Sequence, residues 1–253
     1  MIIHKLIAHH LGHRDDAEFY KLQADDALRW LEKRGVRIVP GMRVLDLGAG
    51  HGIFGINLLQ RGCHVTFADQ HCRLLPEIPG TLFREFRIGD DDLETLGQYD
   101  LAIISNVLEH LPNPIALLDS LHHLLAPGGR AFLSWTNWLS PWGGHEFSPF
   151  HYFGSRWGHL IHDRIMKRDR LHTPYENLFP TYIGHILRHL RSSPNVSIDA
   201  VAPRYYSELG IIAQLPIIRE FLTWNCMLLI RRLMSPNLGL SGGLDCREEE
   251  EEQ

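Results

Sequence analysis

Between residues 42 and 137, short apolar runs that end on glycine or a polar residue alternate with stretches at helical spacing. RVLDLGAG reads as a buried strand entering a tight turn, and Ile53, Ile56, Leu58 and Leu59 begin a helix near Gly52. CHVTFAD (63 to 69) reads as the next strand, followed by a polar helix and FREFRIGDDD (83 to 92). YDLAIISN (99 to 106) is a further strand, and PIALLDSLHHLLAPGG (114 to 129) a helix stopped by Pro127, Gly128 and Gly129. RAFLSWTN is the strand after it. Such alternation demands a mostly parallel sheet with right-handed crossovers and helices on both faces, a doubly wound α/β domain. Ligands of these sheets sit at the carboxyl ends of the strands, where the glycine turn, Asp69, Asp90 to Asp92 and Ser105-Asn106 converge.

The flanks are less regular. Residues 15 to 34 place Phe19, Leu22, Ala27, Trp30 and Leu31 on one helical face behind Asp15 and Asp16 as capping candidates. Beyond 137 the chain is rich in aromatics, His, Pro and Gly to residue 178, and Leu178 to Arg191 is again helical in pattern. VSIDAVAP (196 to 203) and NCMLLIRR (225 to 232) read as strands separated by the apolar LGIIAQLPIIREFL. REEEEEQ reads as a solvated, disordered tail. The organisation expected is an N-terminal helical segment (1 to 40), a ligand-binding core (41 to 137), an aromatic and basic insertion with a helix (138 to 195), closing strands with an apolar lid (196 to 235), and the acidic tail (236 to 253).

A chain of 253 residues, 44% hydrophobic, can bury a full core. Its net charge of -5 gives no global field for nucleic acid. Cys63, Cys72, Cys226 and Cys246 show neither a C-x-x-C pair nor regular spacing, and no 18-residue apolar run occurs, so the location expected is cytoplasmic.

VLDLGAGHGIFG (44 to 55) can be read in two ways. From Gly50 it fits G-x-G-x-x-G, a dinucleotide fingerprint; from Asp46 it is an acidic strand end followed by glycines. A carboxylate ahead of the first glycine disfavours a pyrophosphate and favours an ammonium or sulfonium. Asp69 can accept both hydroxyls of a ribose under either reading.

The span from about residue 40 to 137 resembles the class I S-adenosylmethionine-dependent methyltransferases, small-molecule type. VLDLGAGHG is similar to the family's first motif, HVTFAD to its second, GDDD to the adenine-side loop, YDLAIISNVLEHL to the fourth strand and its exit, and LLAPGGRAFLSW to the turn after it. The resemblance implies a seven-stranded Rossmann-like sheet closed by an antiparallel hairpin, with S-adenosyl-L-methionine as cofactor. Asp46 and Gly48, Ala49, Gly50 and Gly52 would hold the methionine portion, and Asp69 the ribose. Asp90 or Asp91 would reach the adenine, and Gln70 and Asn106 stand at the adjoining strand ends. A noncatalytic S-adenosylmethionine-binding module and a NAD-linked oxidoreductase are the alternatives.

The same resemblance speaks to the acceptor. A quinone-type branch carries E-x-x-E-H at the fourth-strand exit and binds a metal there; here the first position is Asn106, and no metal is expected. The N/D/S-P-P-Y/F tetrapeptide of amino-group methylation is missing, and so is the paired glutamate of the protein-arginine branch. That leaves a small-molecule or lipid-like acceptor. WTNWLSPWGGHEFSPFHYFG (135 to 154) offers aromatic walls and prolines that fix turns, with His145 and His151 inside it. If the acceptor is a hydroxyl, these two histidines and His110 are the candidates to deprotonate or orient it. Residues 209 to 222 are too apolar for an ordinary connection, and 151 to 235 carry eleven basic against six acidic residues. Together they suggest an amphiphilic or anionic acceptor and peripheral membrane contact.

Overall fold

The computed structural model describes residues 16 to 166 and 172 to 234. The acidic tail, Asp15 and Cys246 lie outside the described residues. The chain opens with α1 (Asp16–Lys33), followed by β1 (Arg43–Leu47), α2 (Ile53–Leu59), β2 (His64–Asp69), β3 (Phe83–Glu85) and β4 (Tyr99–Ser105). Then come α3 (Pro114–Ser120), β5 (Leu125–Thr136), α4 (Gly154–Met166), α5 (Ile183–Ser192), β6 (Val196–Pro203), α6 (Ile218–Leu222) and β7 (Asn225–Arg232).

The seven strands form one sheet in the order β3-β2-β1-β4-β5-β7-β6. β7 runs antiparallel to both β5 and β6, and the other pairings are parallel. Strand alternation divides the core. Leu45, Leu47, Ala102, Ile104, Leu133 and Trp135 pack on one face with α3 and α5, while Val44, Leu101, Ile103 and Phe132 pack on the other with α1 and α2. Both faces are covered, which is why the central strands read as continuous apolar runs.

Three expectations are corrected. The helix from Pro114 ends at Ser120, continues as a 3-10 turn to Leu124, and residues 125 to 129 belong to β5. Pro127 lacks an amide hydrogen and biases Ala126 to extended geometry, so Leu125 pairs with Tyr99 instead of extending the helix. No helix spans 70 to 79; only a 3-10 turn at Gly80–Leu82 forms. Pro76 and Pro79 break that segment, whose Leu74 and Ile78 pack beneath Gly52. The helix expected from Leu178 starts at Ile183, because Phe179 donates its amide to the Glu109 carbonyl and Pro180 follows. The segment 209 to 222 holds 3-10 turns and the short α6, and is pinned by Glu220, whose carboxylate accepts the Ile183 and Gly184 amides at the start of α5.

Candidate active site

β1 ends at Leu47, and the turn beyond it is built on positive backbone φ angles at Gly48 (72°), Gly50 (53°) and Gly52 (74°). Two of these glycines are also fixed by crowding. A Cβ on Gly48 would lie 2.4 Å from Val107 Cγ2, and one on Gly52 2.6 Å from Ile78 Cδ1. The amides of Gly48 and Ala49 donate to the Ala68 carbonyl, and that of Gly50 donates to Asp69 Oδ2 at 2.8 Å. The turn is thus strapped to the end of β2, and the surface beside Gly50 is open.

Asp46 is 3% exposed, and its Oδ2 accepts the Gly55 amide at 2.9 Å, tying β1 to the first turn of α2. Burial pushes its carboxyl up to about 7; the Gly55 hydrogen bond opposes this and the neighbouring Asp69 charge adds to it. The negative charge expected at Asp46 therefore titrates near neutral pH, and the carboxylate's nearest contact holds the loop. Gln70 is exposed beside Asp69. Asp90 and Asp91 are exposed, with Asp91 Oδ2 accepting the Arg87 amide and Asp92 capping the 3-10 turn at Leu93–Leu96. Phe86 donates its amide to the Asp69 carbonyl, which brings this acidic loop to the end of β2.

Asn106, at φ 56°, is held by the sheet: its Oδ1 accepts from Asn225 Nδ2 at 2.9 Å and from Arg204 Nη1 at 3.3 Å. Arg204, 1% exposed, also donates to Ser105 Oγ, Ser134 Oγ and the Gln23 carbonyl, and so joins the β4 exit to α1. Sequence reading missed Arg204, since a lone arginine after a strand carries no pattern.

The β4 exit leads into a histidine cluster. Glu109 is 1% exposed; its Oε1 accepts the Thr136 amide at 2.9 Å, and its Oε2 has no partner among the described residues. Burial pushes this carboxyl up. The ring of His110 lies 5.5 Å from that of His145 and 5.2 Å from that of His172, with 4.7 Å between His145 and His172. His110 Nδ1 is 2.8 Å from the Asn177 carbonyl, and His172 Nδ1 is 2.8 Å from Glu146 Oε2. Burial, with His172 and His110 adding, pushes the His145 imidazole down to about 3. The structure therefore brings His110 and His145 together. His151, 2% exposed, packs against Trp138 and Tyr152 and beside Gly144, the residue before His145. His172 joined the cluster unannounced, because nothing in its neighbourhood along the chain marks it among 17 histidines.

The residues fit S-adenosylmethionine. The glycine turn keeps side chains off the strand ends, and Asp69 retains acceptor capacity beyond the Gly50 amide. With the acidic ends of β1 and β2 and the 3-2-1-4-5-7-6 sheet, this is the arrangement of a class I S-adenosylmethionine-dependent methyltransferase. Residues 17 to 193 match the model of the methyltransferase domain family, and the chain belongs to that family.

An uncharacterized methyltransferase of Mycobacteroides abscessus is 30% identical over 240 residues, covering 84% of this chain and 86% of the relative. One from Mycobacterium sp. (strain JLS) is 31% identical over 228 residues, covering 86% and 88%. The fold is shared with an S-adenosylmethionine-dependent methyltransferase of Mesorhizobium loti (TM-score 0.53, 20% identity, 82% of this chain and 98% of that one). It is shared also with the magnesium protoporphyrin IX methyltransferase of Synechocystis with bound S-adenosylhomocysteine (TM-score 0.52, 19% identity, 84% and 83%). S-adenosylmethionine is the cofactor of this family, which sets the NAD-linked alternative aside. Among the described residues no helix is long and apolar enough to cross a membrane.

Proposed function

We propose that this methyltransferase transfers its methyl group to a hydroxyl oxygen of a small or lipid-like acceptor. The observation that carries this reading is the histidine cluster at the β4 exit. Val107 touches Gly48 of the cofactor turn, and Glu109 and His110 follow within three residues. When bound, S-adenosylmethionine supplies an electrophilic methyl on a sulfonium, and the protein's task is to hold the nucleophile in line and close. In this reading His110 and His145, whose rings lie 5.5 Å apart, would accept a hydrogen bond from an acceptor hydroxyl. The enclosed His151 is a packing residue of the insertion. Asp69 and the exposed Asp90 or Asp91 serve the ribose and adenine, with Gln70 beside them; Asn106 contributes by holding the β4 exit in place. A noncatalytic binding module would not need the cluster.

The amphiphilic character of the acceptor is supported by apolar surface. Trp157 and Leu160 (each 60% exposed) and Ile165 (62%) project from α4 beside Arg156 and Arg164. The segment 209 to 222 exposes Ile217 (75%) and Phe221. The reading includes peripheral contact with an anionic membrane surface and no nucleic-acid partner. A cytoplasmic location suits the scattered cysteines.

The test is incubation with methyl-labelled S-adenosylmethionine and a panel of long-chain phenols, hydroxy lipids and matched amines. Label on the hydroxyl compounds, lost in His110→Ala and His145→Ala while S-adenosylhomocysteine binding persists, is the expected result. Label on the amines alone, or full turnover in both variants, overturns the oxygen reading.

A further inference from the structure

The three donors nearest the β4 exit are arranged in a way that hydrogen bonding to an acceptor does not explain. Glu109, His110 and His145 each offer one ligand atom, and these atoms lie within 4.8 Å of one another. Around a tetrahedral ion such atoms stand about 3.3 Å apart, so the three would close by up to about 1.5 Å to hold one.

Each donor is prepared for a cation. Glu109 Oε2 is buried and, among the described residues, unpartnered, while Oε1 is fixed by the Thr136 amide. A buried carboxylate oxygen without a donor is costly, and a cation relieves that cost. His110 faces a carbonyl oxygen through Nδ1, which can only accept; Nδ1 therefore carries the hydrogen, and Nε2 is left as a lone pair. An imidazole anchored to a carbonyl through one nitrogen and free at the other is the usual state of a metal-bound histidine. His145 Nδ1 is buried and has no partner among the described residues. The third donor thus comes from the aromatic insertion and not from position 106, where Asn106 is occupied by Arg204 and Asn225.

We propose that Glu109, His110 and His145 form a binding site for a divalent transition-metal ion, with Zn2+ the ion these donors suit best. Two imidazoles and one carboxylate are a set that zinc takes, and three protein ligands leave a coordination position open. An acceptor oxygen entering that position would be polarised by the ion, so His110 and His145 would act on it through the metal. The site itself depends neither on the identity of the acceptor nor on the oxygen reading.

The experiment uses the full chain, stripped with chelator and dialysed. It is titrated with Co2+ while the visible absorption of the ion is followed, and Zn2+ is then added in competition. The expected result is one Co2+ per chain with a tetrahedral spectrum, displaced by Zn2+. Glu109→Gln and His110→Gln should each weaken Co2+ binding at least about tenfold. His123→Ala, at a partly exposed histidine beside Glu94, serves as the control and should bind as the parent does. His110 is partly exposed, so His110→Gln keeps the test valid if a buried variant fails to fold; retained S-adenosylhomocysteine binding verifies each sample. No saturable Co2+ spectrum, or binding unchanged in His110→Gln and Glu109→Gln, overturns the proposal. Neither result bears on which acceptor is methylated.

Discussion

Gly48 and Val107 meet where the exits of β1 and β4 come together, and a single added carbon on Gly48 would lie 2.4 Å from Val107 Cγ2. The glycine's φ of 72° adds a second restriction, since side-chain-bearing residues rarely adopt it. Gly48→Ala is expected to cost about 1–3 kcal/mol and to weaken S-adenosylhomocysteine binding. Val107→Ala in the same chain should restore the part due to crowding but not the part due to φ. Urea unfolding of both single variants and the double variant measures the split, and a double variant no better than Gly48→Ala alone would show that crowding contributes nothing.

Asp69 has two tasks, holding the Gly50 amide and presenting acceptors beside it. Asp69→Ala removes a charge-assisted hydrogen bond worth about 1.5–3 kcal/mol, and affinity for S-adenosylhomocysteine should fall roughly ten- to a hundredfold. Calorimetry reads this directly; an unchanged affinity would remove Asp69 from the cofactor site.

The Asp46 carboxyl makes stability depend on pH in a definite direction. Its folded value, about 7, is above the ordinary value of 3.8, so the folded state binds the proton more tightly. Its contribution is complete below about pH 4, declines as pH rises from 4 to 7, and is flat above, with a ceiling of about 4 kcal/mol. Asp46→Asn keeps an acceptor for the Gly55 amide and cannot titrate. The difference between parent and variant stabilities should therefore fall between pH 4 and 7. A difference that rises with pH would mean that the carboxyl is held below its usual range.

Arg204 spends its guanidinium on hydroxyls, an amide oxygen and a backbone carbonyl. Arg204→Met removes the donor that these buried acceptors share, leaving Asn106 Oδ1 with Asn225 and the two serine hydroxyls with each other, and should destabilise the fold by at least about 2 kcal/mol, measured by urea unfolding. A variant as stable as the parent would mean that water replaces the guanidinium.

On α4, Trp157→Ser with Leu160→Ser should abolish cosedimentation with anionic vesicles at low salt and leave S-adenosylhomocysteine binding intact. Absence of sedimentation by the parent would remove the membrane contact from the proposed function.

The sheet was legible because strands covered on both faces write themselves as apolar runs, and β6 and β7 match VSIDAVAP and NCMLLIRR residue for residue. Helix ends were less legible: Ser120 closes α3 because Leu125 finds Tyr99, a partner far along the chain that local spacing does not reveal. The glycine turn was legible as a motif, but the burial of Asp46, and with it the upward shift of its carboxyl, comes from packing. His110 and His145 were named from separate motifs, and their proximity, with His172 alongside, appears only once the insertion folds back over the β4 exit.

The position of β7 bears on how the molecule is made. It is the last strand in the described chain, yet it lies between β5 and β6 and supplies every strand pairing that β6 has. While a ribosome is still synthesising residues 225 to 232, β5 presents a bare edge rich in apolar side chains, and β6 has nothing to pair with. A premature stop shortly before Asn225 would therefore remove two strands from the sheet instead of one. The nascent chain must keep that edge from other chains until β7 slides into place.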